Sequence, residues 1–353
     1  MKIIISGGAG FVGSNLALFF KSKYQNYEVL CLDNLKRRGS ELNLARLKEN
    51  GIAFQHADIR CKEDLMEIAS GDVFIDSSAE PSVMAGITSP VEQVFNNNLT
   101  GTLNCLELSK RIGASFVFLS TSRVYPIQTI ESLSFDEKDT RFVLSEHQNV
   151  SGVSSKGINE NFPLKGSRSF YGTTKLASEL LIEEYNALGG LKTVINRCGV
   201  LTGPWQMGKV DQGVVVLWAA KHFWKQKLAY IGYGGSGKQT RDILHVQDLF
   251  RLVDFQVHNI EKVNGELFNV GGGNEVSVSL LELTELCQEI SGNKIEINRV
   301  AETRAADIKL YVTDNSYVTS KTGWKPEIKP KEIMTQVFDW LKENEKDLEG
   351  ILK

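Results

Sequence analysis

A glycine-rich loop at the start of the chain constrains the fold most strongly. The run "IIISGGAGFVGSNL" places a β-branched strand before Gly7, Gly10 and Gly13 and a helical pattern directly after them. Gly7 permits a tight turn, Gly10 lets the backbone approach a pyrophosphate, and Gly13 allows the helix to pack closely with its N-terminus toward negative charge. The sequence therefore predicts a dinucleotide-binding loop, with Phe11 and Val12 among its contacts.

An acidic residue follows at the distance that such a loop requires. The second strand pattern ends at Asp33, 20 residues beyond Gly13, where a carboxylate can bind the hydroxyls of the adenosine ribose. Asn34 beside it is a further candidate contact. Because Asp33 would repel a 2′-phosphate, we expect NAD as the cofactor. Arg37 and Arg38 are near enough to pair with such a phosphate, which leaves NADP as an open alternative.

The residues after the third strand pattern have two interpretations. Asp58 and Ile59 come shortly after "IAFQH". They are placed to reach the adenine of a bound dinucleotide, but Asp58 could equally cap the helix that follows. We include both residues among the candidate cofactor contacts.

Strand and helix patterns alternate through the first two hundred residues. The predicted strands are "KIIIS", "EVLCLD", "IAFQH", "DVFID", "SFVFLS" and "KTVINR". This alternation predicts an α/β fold with a Rossmann-type, doubly wound parallel sheet. We expect residues 1–198, with 242–258 returning to them, to form the NAD-binding domain. Residues 199–241 and 259–353 would form a smaller C-terminal α/β substrate domain.

One segment interrupts the alternation. Residues 126–168 are polar, poorly periodic and much longer than a usual connection. Because the segment ends close to Tyr171, we interpret it as a loop that borders the active site. Disorder in the free protein is the alternative.

Composition argues against several other classes of protein. The formal net charge is −3 with both signs interspersed, so the chain offers no basic field for nucleic acid or an anionic membrane. Its five cysteines are widely scattered, which predicts reduced thiols and no metal site. The N-terminal apolar run is broken by glycines and polar residues and lacks a signal-peptide cleavage site, so we expect a cytoplasmic protein.

A tyrosine and a lysine carry the predicted chemistry. In "SFYGTTKLASE", Tyr171 and Lys175 stand four apart on a predicted helix, so the Lys175 ammonium can favour the phenolate form of Tyr171. The same spacing is common on helices without a catalytic role. Here a dinucleotide loop precedes it, and Thr121 lies at the end of the fifth strand, where a parallel sheet borders its ligand crevice. The predicted catalytic set is Thr121, Tyr171 and Lys175.

Further segments extend the pattern along the chain. "NNNLTGTLNCLE", "QTRDILHVQDL", "FNVGGG" and "RAADIKLYVTD" followed by "GWKP" resemble the extended short-chain dehydrogenase/reductases, and specifically the NAD-dependent nucleotide-sugar epimerases. The resemblance covers nearly the whole length. It implies that Asn98 and Ser78 lie at the cofactor site. It also implies a homodimer formed through a helix around residues 88–112 and the helix that starts near Tyr171.

The resemblance implies a substrate-binding set as well. Arg241 and Arg304 match the residues that bind the diphosphate of the sugar nucleotide, and guanidinium groups suit that charge. Alternatively, these are surface arginines paired with Asp242 and Asp307. The candidate substrate contacts are Thr121, Arg197, Gln212, Arg241 and Arg304.

Within the family, two segments indicate the subgroup. "GPWQMGKVDQGVVVLWAAKHF" and "GKQTRD" most resemble the CDP-tyvelose (CDP-paratose) 2-epimerases; the matching positions are Asp211, Gln212 and Gly213. The same comparison argues against a 4,6-dehydratase, because those enzymes usually place Asp-Glu after the catalytic threonine. Ser122 and Arg123 follow Thr121 here, so the acid and base for eliminating water are missing.

The chain also departs from its relatives. After the fourth strand the family commonly has His-x-Ala-Ala-x, whereas "DSSAEPSV" places Asp76, Ser77, Ser78 and Glu80 there. These positions are expected beside the cofactor. The additional carboxylates are expected to alter the affinity for the nicotinamide or the choice of substrate.

The residues and the resemblance together predict an epimerase of a nucleotide-activated hexose. Tyr171 would remove a proton from a sugar hydroxyl while hydride passes to NAD, and the resulting keto sugar would take the hydride back on its opposite face. Three alternatives stay open. They are a UDP-hexose 4-epimerase, a nucleotide-sugar reductase or dehydrogenase, and a non-catalytic dinucleotide sensor.

Overall fold

The chain folds into two compact units. The computed structural model describes residues 1–208 and 212–353. The first unit comprises Met1–Val124, Ser169–Arg197 and Leu249–Phe268. The second comprises Tyr125–Arg168, Cys198–Asp248 and Asn269–Lys353.

Strands occur throughout the described residues. In chain order they are β1 (Lys2–Ser6), β2 (Glu28–Asp33), β3 (Ala53–His56), β4 (Val73–Asp76), β5 (Ser115–Thr121), β6 (Phe135–Glu137), β7 (Phe142–Leu144), β8 (Val153–Ser154), β9 (Gly157–Ile158), β10 (Thr193–Cys198), β11 (Val200–Thr202), β12 (Leu228–Ile231), β13 (Thr240–His245), β14 (Glu266–Val270), β15 (Ser277–Ser279), β16 (Ile297–Val300) and β17 (Leu310–Tyr311).

The α-helices alternate with these strands in the first half of the chain. They are α1 (Phe11–Lys23), α2 (Asn43–Glu49), α3 (Lys62–Met66), α4 (Val91–Phe95), α5 (Gly101–Ile112), α6 (Ile127–Glu131), α7 (Phe170–Ala187), α8 (Val214–Phe223), α9 (Val246–His258), α10 (Ile260–Val263), α11 (Leu280–Ser291), α12 (Ser316–Thr322), α13 (Pro330–Glu343) and α14 (Glu345–Leu352).

The first unit is built on a sheet of seven strands within the described residues, in the order β14-β10-β5-β4-β1-β2-β3. The pairs β1–β2, β2–β3, β1–β4 and β4–β5 are parallel. The predicted Rossmann-type α/β class is therefore confirmed, and six of the strands are those predicted from sequence. From β1 the chain first adds β2 and β3 on one side and then adds β4 and β5 on the other. The boundary between β1 and β4 is therefore the topological switch point, where such sheets bind ligands.

Apolar side chains from the middle of the sheet form the core of this unit. Phe74, Phe116 and Phe118 on β4 and β5 are fully buried, and their rings stack in sequence across the sheet. Leu106 from α5 and Ile182 from α7 join the same cluster. Burial of each such side chain contributes roughly 1.5–3 kcal/mol. The core thus fixes α7, which carries Tyr171 and Lys175, against β5, which carries Thr121.

The second unit contains a smaller sheet centred on β13. This strand pairs in parallel with β11 and β17 and antiparallel with β15. A separate parallel pair joins β12 to β16. Ser279 caps α11 through a capping box with Glu282, which satisfies two backbone N–H groups at the start of that helix.

The boundaries of the units differ from the predicted domains. Residues 125–168 belong to the second unit and are ordered as α6 and the hairpins β6–β7 and β8–β9. The segment that returns to the first unit is Leu249–Phe268, not 242–258, because β13 pairs with strands of the second unit. The two units are consequently similar in size. No helix among the described residues has the length and apolarity to cross a bilayer.

Candidate active site

The glycine loop has the geometry predicted for it. Gly7 has a φ of +64°, and the N–H of Gly10 donates to its carbonyl at 2.9 Å, which closes the turn. A Cβ at Gly13 would lie 2.2 Å from the same carbonyl oxygen. That distance is far below any tolerated contact, so only glycine lets α1 approach the turn this closely.

The N-terminus of α1 fits a diphosphate. Gly10 is the N-cap residue, so no side chain occupies the capping position, and the first turn carries no acidic residue. A Cβ at Gly10 would approach only the backbone of Gly7, at 3.0 Å, and its other side is open. Free N–H groups at the start of a helix of this length suit an anion. The residues present therefore fit the diphosphate of a dinucleotide.

Asp33 lies at the edge of this loop. Its carboxylate accepts hydrogen bonds from the N–H groups of Ala9 (3.1 Å) and Leu35 (2.8 Å), so it ties the glycine loop to the end of β2. Burial raises the pKa of Asp33, while the bonds from Leu35 and Ala9 act in the opposite direction. Asn34 donates to Asp58 at 3.0 Å, which brings two more of the predicted cofactor contacts together.

Asp58 does not act as the helix cap that was considered for it. The N-cap position of α3 is Cys61, and the carboxylate of Asp58 instead accepts from the Arg60 side chain at 2.9 Å through Nε. Hydrogen bonding to Arg60 holds the pKa of Asp58 well below its ordinary value. Ile59 lies against Gly101, where a Cβ would come within 2.4 Å of the Ile59 Cδ1.

The helix α7 presents the tyrosine and lysine. Ser169 is its N-cap, with a side chain that accepts from the N–H of Gly172 at 3.1 Å. This cap fixes the first turn, on which Tyr171 lies half-buried. Lys175, one turn later on the same face, is only 2% exposed, and its Nζ lies 3.9 Å from the centroid of the Phe118 ring.

Thr121 completes the predicted set from β5. It is the last residue of that strand, is buried, and accepts from the N–H of Arg123 at 3.2 Å. Ser120 beside it donates to Glu179, which lies one turn beyond Lys175 on α7. The end of β5 and the face of α7 that carries Tyr171 and Lys175 are therefore joined by a side-chain hydrogen bond.

Arg197 has a different environment from the one expected of a substrate contact. It is 3% exposed, and its Nε and Nη2 donate to both carboxylate oxygens of Glu179 at 2.7–3.1 Å. A buried bidentate pair of this kind occupies the guanidinium within the protein. The geometry favours a structural role for Arg197, between β10 and α7, over the predicted substrate contact.

Asn98 organises the same region from a π-helical turn, Asn96–Thr100, between α4 and α5. Its side-chain amide accepts from the N–H of Glu80 (2.7 Å) and donates to Thr174 on α7 (3.1 Å). Ser178 donates to the Asn98 carbonyl at 3.1 Å. A π turn frees such groups from the helix ladder and is frequent at functional sites. Asn98 thus positions α7 and the segment at Glu80.

The predicted substrate residues of the second unit lie in two places. Arg241, on β13, pairs with Asp307 at 2.9 Å and donates to the backbone carbonyls of Thr240 and Ile308, so the pairing with Asp307 that was the alternative interpretation is present. The N–H of Asp307 donates to the carbonyl of Arg304, which places Arg304 one turn before this ion pair. Asp242 is buried and accepts from backbone N–H groups, not from an arginine. Gln212 directly precedes Gly213, the N-cap of α8. Asp211 lies outside the described residues.

Sequence reasoning missed two parts of this site. Glu179 continues the four-residue spacing of Tyr171 and Lys175, and that spacing was an available signal. Asp76, at the end of β4, accepts hydrogen bonds from Ser6 on β1 and Thr102 on α5, and no local pattern could have identified these distant partners. Within the described residues, no group of three or more His, Cys, Asp and Glu side chains could hold a metal ion.

Comparison with known proteins identifies the class to which this fold and site belong. Residues 3–271 match the NAD dependent epimerase/dehydratase family. A CDP-paratose 2-epimerase from Salmonella typhi is 31% identical over 354 residues, covering 96% of this chain and 99% of that protein. A putative UDP-glucose 4-epimerase from Methanocaldococcus jannaschii is 28% identical and covers 97% of this chain and 99% of its own.

Solved structures agree. The crystal structure of a UDP-glucuronic acid 4-epimerase from Bacillus cereus, in complex with UDP-glucuronic acid and NAD, is 25% identical to this chain, with a TM-score of 0.78. The match covers 97% of this chain and 99% of that one. The chain belongs to the NAD-dependent epimerase/dehydratase family, as its motifs predicted. It is an enzyme, and its cofactor is NAD.

Proposed function

We propose that this enzyme inverts C2 of a CDP-activated deoxyhexose, CDP-paratose or CDP-tyvelose or a closely related nucleotide sugar. The observation that supports the type of reaction is the arrangement around α7. Tyr171 and Lys175 lie on one face of a capped helix that is hydrogen-bonded to the end of β5, where Thr121 lies. Identity of 31% to a CDP-paratose 2-epimerase, over nearly the whole of both chains, supports the choice of reacting carbon.

Three side chains of the protein would act on the reacting oxygen, each in a different way. Tyr171 takes the proton of the sugar hydroxyl and later returns it, and the Lys175 ammonium favours the phenolate. The Thr121 hydroxyl hydrogen-bonds the same oxygen and holds it in place. NAD, when bound, supplies the hydride acceptor and donor, so no net oxidant is consumed. The keto sugar must expose both faces in turn, which requires that the pocket let it reorient.

The cofactor is held by groups on the first unit. Gly7, Gly10 and Gly13 would hold the diphosphate at the start of α1, with Phe11 and Val12 beside it. Asp33 and Asn34 would bind the adenosine ribose, and Asp58 and Ile59 the adenine. Ser78 and Asn98 would lie toward the nicotinamide, with Tyr171 and Lys175. Arg304 and Gln212 of the second unit would bind the nucleotide sugar, and Arg241 would join them by exchanging its ion pair with Asp307 for the diphosphate.

Elimination of water is disfavoured by the residues next to Thr121. Ser122 and Arg123 form a short 3-10 turn and carry no carboxylate. Asp76 is fully buried and already hydrogen-bonded by three side chains, so it is not placed to exchange protons with a sugar. An epimerase needs only the tyrosine as acid and base, whereas a 4,6-dehydratase needs a further pair.

A second candidate is a UDP-hexose 4-epimerase. The 28% identity to a putative UDP-glucose 4-epimerase, again over nearly the whole chain, favours it. The same Tyr171, Lys175 and Thr121 set serves either reaction, because the position of the sugar decides which carbon reacts.

The experiment is a substrate panel with position-resolved products. Purified enzyme is incubated with CDP-paratose, CDP-tyvelose, UDP-glucose and a GDP-hexose, and the products are analysed by NMR. We expect interconversion of the CDP sugars at C2 without a net change in NADH absorbance, and none with Tyr171→Phe. Inversion at C4 of UDP-glucose, with the CDP sugars unchanged, would replace the proposal with the second candidate. Stoichiometric NADH formation or consumption would indicate a dehydrogenase or reductase, and NAD binding without turnover a sensor.

A further inference from the structure

A buried carboxylate that has no part in the proton transfer lies beside the glycine loop. Asp76, the last residue of β4, is 0% exposed. Its Oδ1 accepts from the hydroxyls of Ser6 and Ser78, each at 2.7 Å, and from the Ser78 N–H at 3.2 Å. Its Oδ2 accepts from the Thr102 hydroxyl at 3.0 Å. We refer to Ser6, Ser78 and Thr102 as the Asp76 cage.

Every partner in the cage donates a proton to Asp76. The Ser6 and Ser78 hydroxyl oxygens also lie 3.1 Å from each other. An ionised carboxylate is acceptor-only and can receive all four donors at once. Because the Ser78 hydroxyl donates its proton to Asp76, its oxygen can only accept a hydrogen bond from a further partner. The cage is thus a fixed negative charge with an oriented hydroxyl.

Sheet order places this charge along the ligand crevice. Asp33 ends β2, the glycine loop follows β1, Asp76 ends β4, and Thr121 ends β5, and these strands are neighbours in the order β5-β4-β1-β2. Asp76 is the register partner of Ser6, the residue directly before Gly7. A dinucleotide with its adenosine at Asp33 and its diphosphate at the loop must pass β4 to bring the nicotinamide toward Thr121.

The positive charge of Lys175 lies close to the same buried region as Asp76. Burial raises the pKa of the Cys105 thiol well above its ordinary value, the negative charge of Asp76 raises it further, and the positive charge of Lys175 opposes this. Asp76 and Lys175 therefore both act on one buried group. Their effects on a bound cofactor must be separated by changing one charge at a time.

The oxidised nicotinamide ring carries a positive charge that the reduced ring lacks. We propose that Asp76 favours the oxidised over the reduced form of bound NAD, and that the cage holds the Asp76 charge in the position from which it does so. An epimerase must return each hydride from the reduced cofactor to the sugar. A cofactor biased toward its oxidised form gives up hydride more readily to the keto sugar, so less enzyme is left in the reduced form.

The test uses the NAD-loaded enzyme and no sugar. Protein is equilibrated with defined ratios of NADH to NAD+, and the bound fraction of NADH is read from its fluorescence, which gives the ratio of the two dissociation constants. Asp76→Asn keeps the size and an acceptor for Ser6 and Ser78 but removes the charge. We expect it to shift the ratio toward NADH by roughly tenfold, the effect that the loss of one charge would have at a distance of about 12 Å in a medium of dielectric constant ~20.

Two further variants separate charge from packing. Thr102→Val removes one hydrogen bond of the cage, but the three bonds from Ser6 and Ser78 still hold the charge in position, so the ratio should stay within about twofold of wild type. Asp76→Ser is smaller, also uncharged, and should behave like Asp76→Asn. An unchanged ratio in the folded Asp76 variants would overturn the proposal, as would an equal shift in Thr102→Val. If neither Asp76 variant folds, the residue is structural and the proposal fails. The outcome does not depend on which sugar the enzyme uses.

Discussion

Removing one partner of the buried ion pair between Glu179 and Arg197 should destabilise the first unit strongly. The side chains of the pair are 1% and 4% exposed. Glu179→Gln replaces the carboxylate with a neutral amide. The Arg197 guanidinium then stays buried without a negative partner and without access to solvent. Breaking a buried pair from one side typically costs about 3–5 kcal/mol, because the other charge stays buried. We expect a loss in that range for Glu179→Gln, and a similar loss for Arg197→Met.

The double variant provides the decisive comparison. With Glu179→Gln and Arg197→Met together, neither charge of the pair remains buried, so the loss should be well below the sum of the two single losses. We therefore expect the double variant to be more stable than either single variant. A matched control is Glu261→Gln, which removes an exposed ion pair with Lys192 in the same unit and should change stability by less than about 1 kcal/mol.

The assay must report on the right unit. All five tryptophans, Trp205, Trp218, Trp224, Trp324 and Trp340, lie in the second unit, so tryptophan fluorescence follows that unit. Urea unfolding should be followed instead by far-ultraviolet circular dichroism, with NAD affinity as a second reading of the first unit. If the losses of the two single variants simply add in the double variant, the pair is not coupled and the reasoning is refuted.

Three other perturbations follow from the structure. Gly13→Ala places a methyl group 2.2 Å from the Gly7 carbonyl oxygen, and calorimetric titration should show NAD affinity reduced tenfold or more; unchanged affinity would contradict the loop geometry. Burial lowers the pKa of His245 to about 4, so between pH 6.5 and 4 the unfolded chain binds the proton and the folded chain does not. Stability should therefore fall as pH falls, and His245 alone should account for about 2 kcal/mol from pH 7.5 to 5 in urea unfolding followed by tryptophan fluorescence. His245→Gln should remove this contribution and leave a smaller slope of the same sign from His222, whose pKa burial also lowers. Leu103 on α5 and Leu180 on α7 are 37% and 56% exposed, and if they are buried in the predicted homodimer, Leu180→Lys should give a monomer by light scattering where wild type gives a dimer.

Local signals in the sequence predicted the parts of the site that lie within one strand, loop or helix. The glycine loop and Asp33 could be predicted because both belong to one βαβ unit, in which each glycine meets a steric requirement of its own turn. The face of α7 follows from the spacing of Tyr171 and Lys175. The strands β1 to β5 follow from their β-branched and aromatic runs, each bounded by turn residues.

Contacts between distant segments could not be predicted in this way. Residues 125–168 have no periodicity because their order comes from remote partners. Thr240, for example, donates to the carbonyl of Phe142 at 2.8 Å, and Ile158 bonds to Val312. The ion pair of Arg197 could not be predicted for the same reason, since its partner Glu179 lies on another element.

The Asp76 cage shows the same limit at the cofactor site. The sequence marked Asp76 as a departure from the family, but Ser6 and Thr102, which hold it, lie on other elements. Only the fold shows that these residues meet. Departures from a family pattern are therefore best interpreted after their partners in the structure are known.

One measurement tests the central claim most directly. CDP-paratose is incubated in D₂O with the enzyme and without added cofactor, beside a Tyr171→Phe control, and the products are followed by NMR. The account predicts inversion at C2 with the original hydrogen retained on that carbon, because hydride returns from the same bound NAD, and no conversion in the control. Deuterium at the inverted carbon, or equal conversion by Tyr171→Phe, would contradict it.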